Sequence, residues 1–154
     1  MHSTLLALHS LTRWLVLVFT VYSICRAFIG YSQGRTFTKT DNALRHWTAT
    51  VAHIQLMTGI ILYTQSPVVK YFWTHTKAAS ENPDLSFYGL IHITLMLTAI
   101  VLLTIGSALA KRKATDREKF KTMLVYFSIA LLIIFIAIPW PFSPLSGRPY
   151  LRTF

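Results

Sequence analysis

Three histidines of the 154-residue chain, His9, His53 and His92, each lie within a long apolar segment. An ionisable side chain at membrane depth costs several kcal/mol unless it is paired or ligated. Imidazole is also a common metal ligand and holds haem iron in many proteins. Three such side chains on three helices of one small domain therefore predict a bound cofactor, and haem b is the first hypothesis.

The depth of each histidine along its predicted helix distinguishes the three. His9 and His92 lie about one turn below the same predicted membrane face, whereas His53 lies near the middle of the bilayer. Axial ligands must face each other at similar depth if a haem ring stands along the membrane normal. We therefore expect His9 and His92 to ligate the iron of one haem b per chain. His53 would lie near the ring edge or in a separate polar site, and it is the substitute ligand if the ring tilts.

Arg13 lies one helical turn from His9 on the same predicted face. A guanidinium carries a fixed positive charge and a fork of hydrogen-bond donors. We expect Arg13 to pair with a haem propionate or to polarise the carbonyl of a bound quinone.

Four apolar segments must position these residues, near 4–29, 46–65, 87–109 and 121–138. Each is about the length that a helix needs to cross a bilayer core of ~30 Å. Joined by short connections, they predict an all-α membrane protein with a four-helix, up-down-up-down transmembrane bundle. The whole chain, 1–154, would form one integral membrane domain with a tail over 139–154 at the outer face.

At ~100° per residue, each of the first three helices carries one polar or small-residue stripe. Such residues turn toward protein because lipid satisfies none of their hydrogen bonds. We therefore expect the three stripes to converge on one interior: His9, Arg13 and Thr20; His46, Thr50, His53, Met57 and Thr64; and His92, Met96, Ala99, Leu103 and Gly106. Small residues of the third helix would also allow close packing within the chain or, in a homo-oligomer, between chains.

The net charge of +10 orients the protein and does not indicate a nucleic-acid partner, because the basic residues crowd the first and third connections. By the positive-inside rule those connections are cytoplasmic. Both termini would then lie on the outer, periplasmic side of a bacterial inner membrane. Asp41, just before the second apolar segment, is the predicted N-cap of the second helix.

All five acidic residues lie in the connections: Asp41, Glu81, Asp84, Asp116 and Glu118. Their placement excludes a carboxylate-bridged di-iron centre and weakens a carboxylate proton relay. A three-histidine zinc site needs its nitrogens within ~2.1 Å of one ion, which the depth of His53 disfavours. Copper held by histidine and methionine stays open, because Met57 and Met96 lie one turn from His53 and His92.

Several stretches of the chain resemble small four-span membrane proteins of the Bacteroidetes that are labelled "cytochrome b". The resemblance covers most of the chain and rests on Leu8-His9-Ser10-Leu11-Thr12-Arg13-Trp14, His53-Ile54-Gln55-Leu56 with Gly59 and Leu62-Tyr63, His92 with Met96, and Ile138-Pro139-Trp140-Pro141-Phe142. It implies a b-type haem in the inner membrane, with His9, Arg13, His53 and His92 as the residues that matter. This chain has Ile91 where the family pattern tends to have an acidic residue before the third-helix histidine.

The sequence therefore predicts a membrane electron carrier or redox subunit rather than a stand-alone enzyme. Electrons would pass between quinol or quinone and a partner redox protein. Two alternatives stay open. One is a haem-free structural or assembly subunit of a membrane complex. The other is a quinone-binding or copper-binding membrane protein.

Overall fold

The chain folds into helices joined by short turns. A computed structural model describes residues 2–146, and no strand occurs in that range. The helices are α1 (His2–Ser32), α2 (Lys39–Gln65), α3 (Pro67–Thr74), α4 (Thr76–Ser80), α5 (Pro83–Ser86), α6 (His92–Arg112) and α7 (Asp116–Ala137), with a π-helical turn at Phe87–Ile91 between α5 and α6. The prediction of an all-helical protein is confirmed for this range. Residues 147–154, which hold half of the predicted tail, lie outside it.

Three helical stretches are long and apolar enough to cross a membrane: Ser3–Ser32, Pro83–Arg112 and Asp116–Ala137. They indicate a multi-pass membrane protein in a lipid bilayer. The predicted fourth span, 46–65, lies within α2 but does not belong to this set, because its histidines, threonines and Gln55 lower its mean hydropathy. A fourth span is therefore not confirmed.

The four long helices contact one another in a ring. α1 packs against α2 and α7, and α6 also packs against α2 and α7. The partners in each contact run antiparallel, because early residues of one helix meet late residues of the next. His9 meets Thr58, for example, whereas Ser23 meets Thr48. Small residues permit close approach: a Cβ added at Gly106 would lie 2.3 Å from Cβ of Tyr126.

The first turn of α2 begins earlier than the sequence analysis predicts. Thr38, not Asp41, is the N-cap, and Asp41 is the third helical residue of a capping box in which each side chain accepts from the other's backbone N–H. Asp41 is only 1% exposed and also forms an ion pair with Arg26 of α1 at 2.7 Å. One carboxylate thus fixes both the start of α2 and its position against α1.

The connection between α2 and α6 folds into α3, α4, α5 and the π-helical turn. Ser66 ends α2 and caps α3 by accepting from the backbone N–H of Val69, with Pro67 in the first turn. In the π-helical turn the backbone N–H of His92 bonds to the carbonyl of Phe87, five residues back. Such turns within helices are frequent at functional sites.

The C-terminal end of α7 is shaped by two prolines. Pro139 has no N–H for the carbonyl of Phe135, and Pro141 has none for the carbonyl of Ala137. Both carbonyls instead accept from side chains. The indole Nε1–H of Trp140 donates to Phe135 at 2.8 Å, and Nδ1 of His92 donates to Ala137 at 2.8 Å.

Threonine hydroxyls within the long helices mostly bond to their own backbone. Four threonines of α2 donate to carbonyls three or four residues earlier, at 2.8–3.0 Å: Thr48, Thr50, Thr58 and Thr64. Exposed threonines of α6 do the same, including Thr94 and Thr98.

Candidate cofactor site

One cavity of about 300 Å³ lies among α1, α2, α3, α6 and α7. His9, Arg13 and His92 all line it. Most of the other lining side chains are apolar, among them Val16, Leu56, Ile93, Met96, Ile100, Ile134 and Ile138. The structure therefore brings His92 together with His9 and Arg13, from which it is separated by 79 or more residues in sequence.

His92 is oriented by the end of α7. Its Nδ1 lies 2.8 Å from the carbonyl oxygen of Ala137, which can only accept, so Nδ1 carries the proton. The neutral ring then has its lone pair on Nε2. The ring of Phe87, with its centroid 5.6 Å away, packs beside the imidazole.

His9 is oriented in the same sense by α2. Its Nδ1 lies 3.3 Å from Oγ1 of Thr58. The hydroxyl of Thr58 donates its own proton to the carbonyl of Gln55 at 2.9 Å, so the oxygen accepts from Nδ1–H of His9. Gly59 makes room for the ring, because a Cβ there would lie 3.1 Å from Cε1 of His9.

The two imidazoles thus share one arrangement. In each, Nδ1 donates to an oxygen, and within residues 2–146 no hydrogen bond engages Nε2. A hydrogen bond at one ring nitrogen fixes the tautomer and the orientation of a ligating histidine. His9 and His92 therefore present two pre-oriented imidazole lone pairs on one cavity.

Gln55 ties the first helix to the second at the level of His9. Its amide Nε2 donates to the carbonyl of His9 at 2.8 Å, and its Oε1 accepts from the hydroxyl of Thr12. The roles of Gln55, Thr58 and Ala137 are not predicted by the sequence pattern. Gly59 inside a helix was a usable signal, because an isolated glycine in a helix often marks close approach of another group.

Arg13 lies between aromatic rings at the cavity. Its guanidinium carbon is 5.6 Å from the ring centroid of Trp14 and 5.9 Å from that of Trp140, within the range of cation–π attraction. Its Nη2 also lies 3.5 Å from Oγ of Ser10. The buried ring of Trp140 packs edge-on to Trp14 at 5.9 Å, so the segment after α7 closes against α1 on this side.

His53 lies in a different place. It is exposed and lines a groove between α2 and α6 that contains neither His9 nor His92. Its Nδ1 donates to the carbonyl of Ala49 at 2.7 Å, and its Nε2 lies 3.3 Å from Oγ1 of Thr104. The hydroxyl of Thr104 donates to the carbonyl of Ile100 at 2.7 Å, so the anchored nitrogen of His53 is Nδ1, but it is anchored in this groove and not at the cavity.

The predicted inward stripe of α2 is wrong. His46, His53, Met57 and Thr64 are exposed, and the helix buries the opposite set, which includes Arg45, Thr48, Ala49 and Ala52. Small residues fit closest against neighbouring helices, and the threonines need no inward partner because they bond to their own backbone. The stripes of α1 and α6 do face the interior, with Thr20, Ala99 and Leu103 fully buried.

Methionine and metal ligation can be compared on the same basis. Met96 lines the cavity with His92, whereas Met57 is 66% exposed and does not line it. In the described part of the chain, no three histidine, cysteine, aspartate or glutamate residues come close enough to hold a metal ion. The cavity therefore offers a pair of imidazoles, with one thioether one turn from His92.

No model of a known protein family, no curated protein and no solved structure matches this chain.

Proposed function

We propose that this chain is a four-helix transmembrane protein that binds one haem b through His9 and His92 and transfers electrons. The observation that carries the proposal is the matched pair of imidazoles. Both line one cavity, both donate through Nδ1, and both keep Nε2 outside the hydrogen bonds of the described residues. Imidazole nitrogen is a common ligand of haem iron in proteins, so His9 and His92 would be able to hold this cofactor.

The residues around the pair fit such a cofactor. Apolar side chains from α1, α6 and α7, including Val16, Ile100 and Ile134, would surround a macrocycle and exclude water. Arg13 would hold a propionate, as a cation with several donors suits a carboxylate. Bound haem would supply one-electron chemistry, and its potential depends on axial ligands and burial.

The chain itself does three things in this proposal. The carbonyl of Ala137 and the hydroxyl of Thr58 orient the two ligands and raise their basicity. Gln55 holds the backbone of His9 against α2. His53 would not ligate the iron, because it lies in the separate groove between α2 and α6.

The membrane arrangement is part of the proposal. α2 would be the fourth span, since it runs antiparallel to α1 and α6 and completes the ring of long helices. The basic residues near Arg35 and Lys111–Lys113 would place those connections in the cytoplasm of a bacterium and both termini in the periplasm. Electrons would then be exchanged with quinol or quinone and with a partner redox subunit.

A quinone site without haem is the second candidate function, and the size of the cavity favours it. About 300 Å³ is at the lower end of the range for small-molecule pockets, and a quinone ring is smaller than a porphyrin. Arg13 would donate to a quinone carbonyl oxygen, and the Nε2 atoms of the imidazoles would accept from the hydroxyl groups of the quinol. A copper-binding membrane protein and a haem-free structural subunit are the remaining alternatives from the sequence.

The test is a dithionite-reduced minus air-oxidised visible spectrum of the full-length protein, purified in detergent after expression with ample haem. We expect a sharp α band and a shifted Soret band. Both should disappear in His9→Ala and in His92→Ala but stay in His53→Ala, the matched control outside the cavity. Thermal unfolding of each variant separates lost ligation from lost folding.

Each other outcome decides against part of the proposal. Bands lost only in His53→Ala would overturn the ligand pair. A colourless protein that co-purifies with quinone, and loses it in Arg13→Gln, would replace haem by the second candidate. A colourless protein without quinone, unaffected by either histidine substitution, would leave the structural subunit.

A further inference from the structure

The groove between α2 and α6 is strongly basic. Its lining consists of Arg45, His46, Ala49, Thr50, His53, Thr104, Ser107, Ala108, Lys111 and Arg112. None of these residues is acidic, and the ion pairs found within residues 2–146 join other partners, Arg26 with Asp41 and Lys119 with Asp116. Three permanent cations of the groove thus lack a carboxylate partner in the described structure.

Arg45 is the buried member of these three cations. Its side chain is only 5% exposed, and its hydrogen bonds go to neutral acceptors. Nη1 donates to the carbonyl of Ser107 at 2.7 Å, and Nη2 donates to Oδ1 of Asn42 at 2.9 Å. Neutral acceptors satisfy donors but leave the charge, and a buried charge without a counter-charge is costly. An anion in the groove would offset it.

The surroundings of the groove favour a lipid over a free ion. Lys111 and Arg112 lie at the end of a helix able to span a membrane, at the level expected for phosphate head groups. At the opposite end, the groove is lined by His53 and Thr104. Met57 lies one helical turn beyond His53 in α2, and Val101 lies one turn beyond Thr104 in α6, both away from the basic end. Met57 is 66% exposed and Val101 53% exposed. An acyl chain could lie along these apolar side chains while its head group occupies the basic end.

Trp47 supports the same level for the interface. It is 53% exposed and lies next to His46 in the first third of α2. Exposed tryptophan is enriched where lipid head groups meet the hydrocarbon. Its position places the basic end of the groove beside the head groups and not in bulk water.

We propose that the groove between α2 and α6 binds the phosphate head group of an anionic phospholipid, with Arg45, Lys111 and Arg112 supplying the charge. Basic pockets between membrane helices on the cytoplasmic side bind anionic head groups in this way. This site is separate from the cavity of His9 and His92, so it does not depend on the cofactor.

The test is a lipid titration of the detergent-purified full-length chain by native mass spectrometry, with phosphatidylglycerol and phosphatidylcholine as probes. We expect selective retention of phosphatidylglycerol. Each exposed cation should be worth about fivefold in affinity, so Lys111→Gln with Arg112→Gln should weaken binding by about 25-fold. Arg117→Gln with Lys121→Gln removes one arginine and one lysine at the same end of the molecule, outside the groove, and should change binding little.

Three results would overturn the proposal. Equal retention of phosphatidylcholine would show that the groove does not distinguish an anionic from a zwitterionic head group. An equal loss of phosphatidylglycerol affinity in both double variants would show that binding depends on the overall surface charge and not on the groove. Displacement of the lipid by millimolar inorganic phosphate would show that the groove takes the free ion and has no preference for a lipid.

Discussion

The phenolic oxygen of Tyr63 joins α2 to the π-helical turn. It donates to the carbonyl of Gly89 at 2.7 Å and accepts from the indole Nε1–H of Trp73 at 2.8 Å. Gly89 lies in the π-helical turn that leads directly into His92. One hydroxyl therefore connects the end of α2, the short helix α3 and the segment that positions His92.

Replacing Tyr63 by Phe should lower the free energy of unfolding by on the order of 1–3 kcal/mol, since it leaves one carbonyl and one indole N–H without their partner. Chemical unfolding in detergent measures this loss. Tyr71→Phe is the control, because the ring of Tyr71 stacks on His75 and no described hydrogen bond uses its hydroxyl. Equal losses in the two variants would show that the bond to Gly89 contributes nothing.

Gly106→Ala should destabilise the protein by about 1–3 kcal/mol, through overpacking of α6 against α7. The added methyl group would meet Cβ of Tyr126 at 2.3 Å, an atom that no rotation of the side chain can move. Gly30→Ala is the comparison, because its methyl group would meet the far end of the Phe120 ring at 2.4 Å. Thermal unfolding should rank Gly106→Ala as the more destabilising, and the reverse order would contradict this account of the helix contact.

Stability at acidic pH should depend on Asp41. Burial alone would raise the pKa of its carboxyl group, but hydrogen bonds from Thr38 and Arg26, with the charge of Arg26, hold that pKa below its usual value. A depressed native pKa contributes stability that is present above the unfolded pKa of about 3.9 and is lost as the pH falls through the native value.

Unfolding measured from pH 7 down to about pH 3 should therefore show a fall in stability below about pH 4 that is smaller in Asp41→Asn. At pH 7 the variant should be less stable than the parent. Glu81→Gln, which neutralises an exposed acid of the α4–α5 turn, is the control and should keep the parental pH dependence. A parental profile in Asp41→Asn would refute the assignment.

Trp140→Phe should lower the free energy of unfolding by about 1 kcal/mol, because it removes the side-chain donor of the Phe135 carbonyl at the end of α7. Pro139 cannot supply the missing N–H, so a second substitution, Pro139→Ala, should recover part of the loss by restoring a backbone donor. Trp47→Phe, at an exposed tryptophan, is the control. Purely additive losses in the double variant would argue that the indole acts only through packing.

The sequence predicted two features of the structure, the membrane-spanning helices and the proximity of His9 and His92. Long apolar runs predicted the helices that are able to span a membrane, and the level of His9 and His92 predicted that they would meet. Their role as ligands stays a prediction. The orienting partners were hidden for two reasons. The carbonyl of Ala137 is a backbone atom of a kind present at every residue. The hydroxyl of Thr58 accepts from His9 because its own proton goes to the backbone carbonyl of Gln55.

The polarity of its residues does not predict which side of α2 packs against the other helices. The side that packs is determined by small residues such as Ala49 and Ala52 and by Thr48, whose hydroxyl lies 2.7 Å from Oγ of Ser23. A rule that turns every polar residue inward assigns His53 to the interior, although its Nδ1–H already donates to the carbonyl of Ala49 at the surface of its own helix.

The hydrogen bonds within α2 also change the free energy of transferring this helix from water into a lipid bilayer. Thr48, Thr50, Thr58 and Thr64 each donate their hydroxyl proton to a carbonyl of their own helix. Hydropathy scales assign every threonine the free-energy cost of removing its hydroxyl donor from water without a replacement partner. These hydroxyls keep their backbone carbonyl as partner in hydrocarbon, so they do not incur that cost. Residue-averaged hydropathy therefore overstates the penalty for moving α2 from water into a membrane.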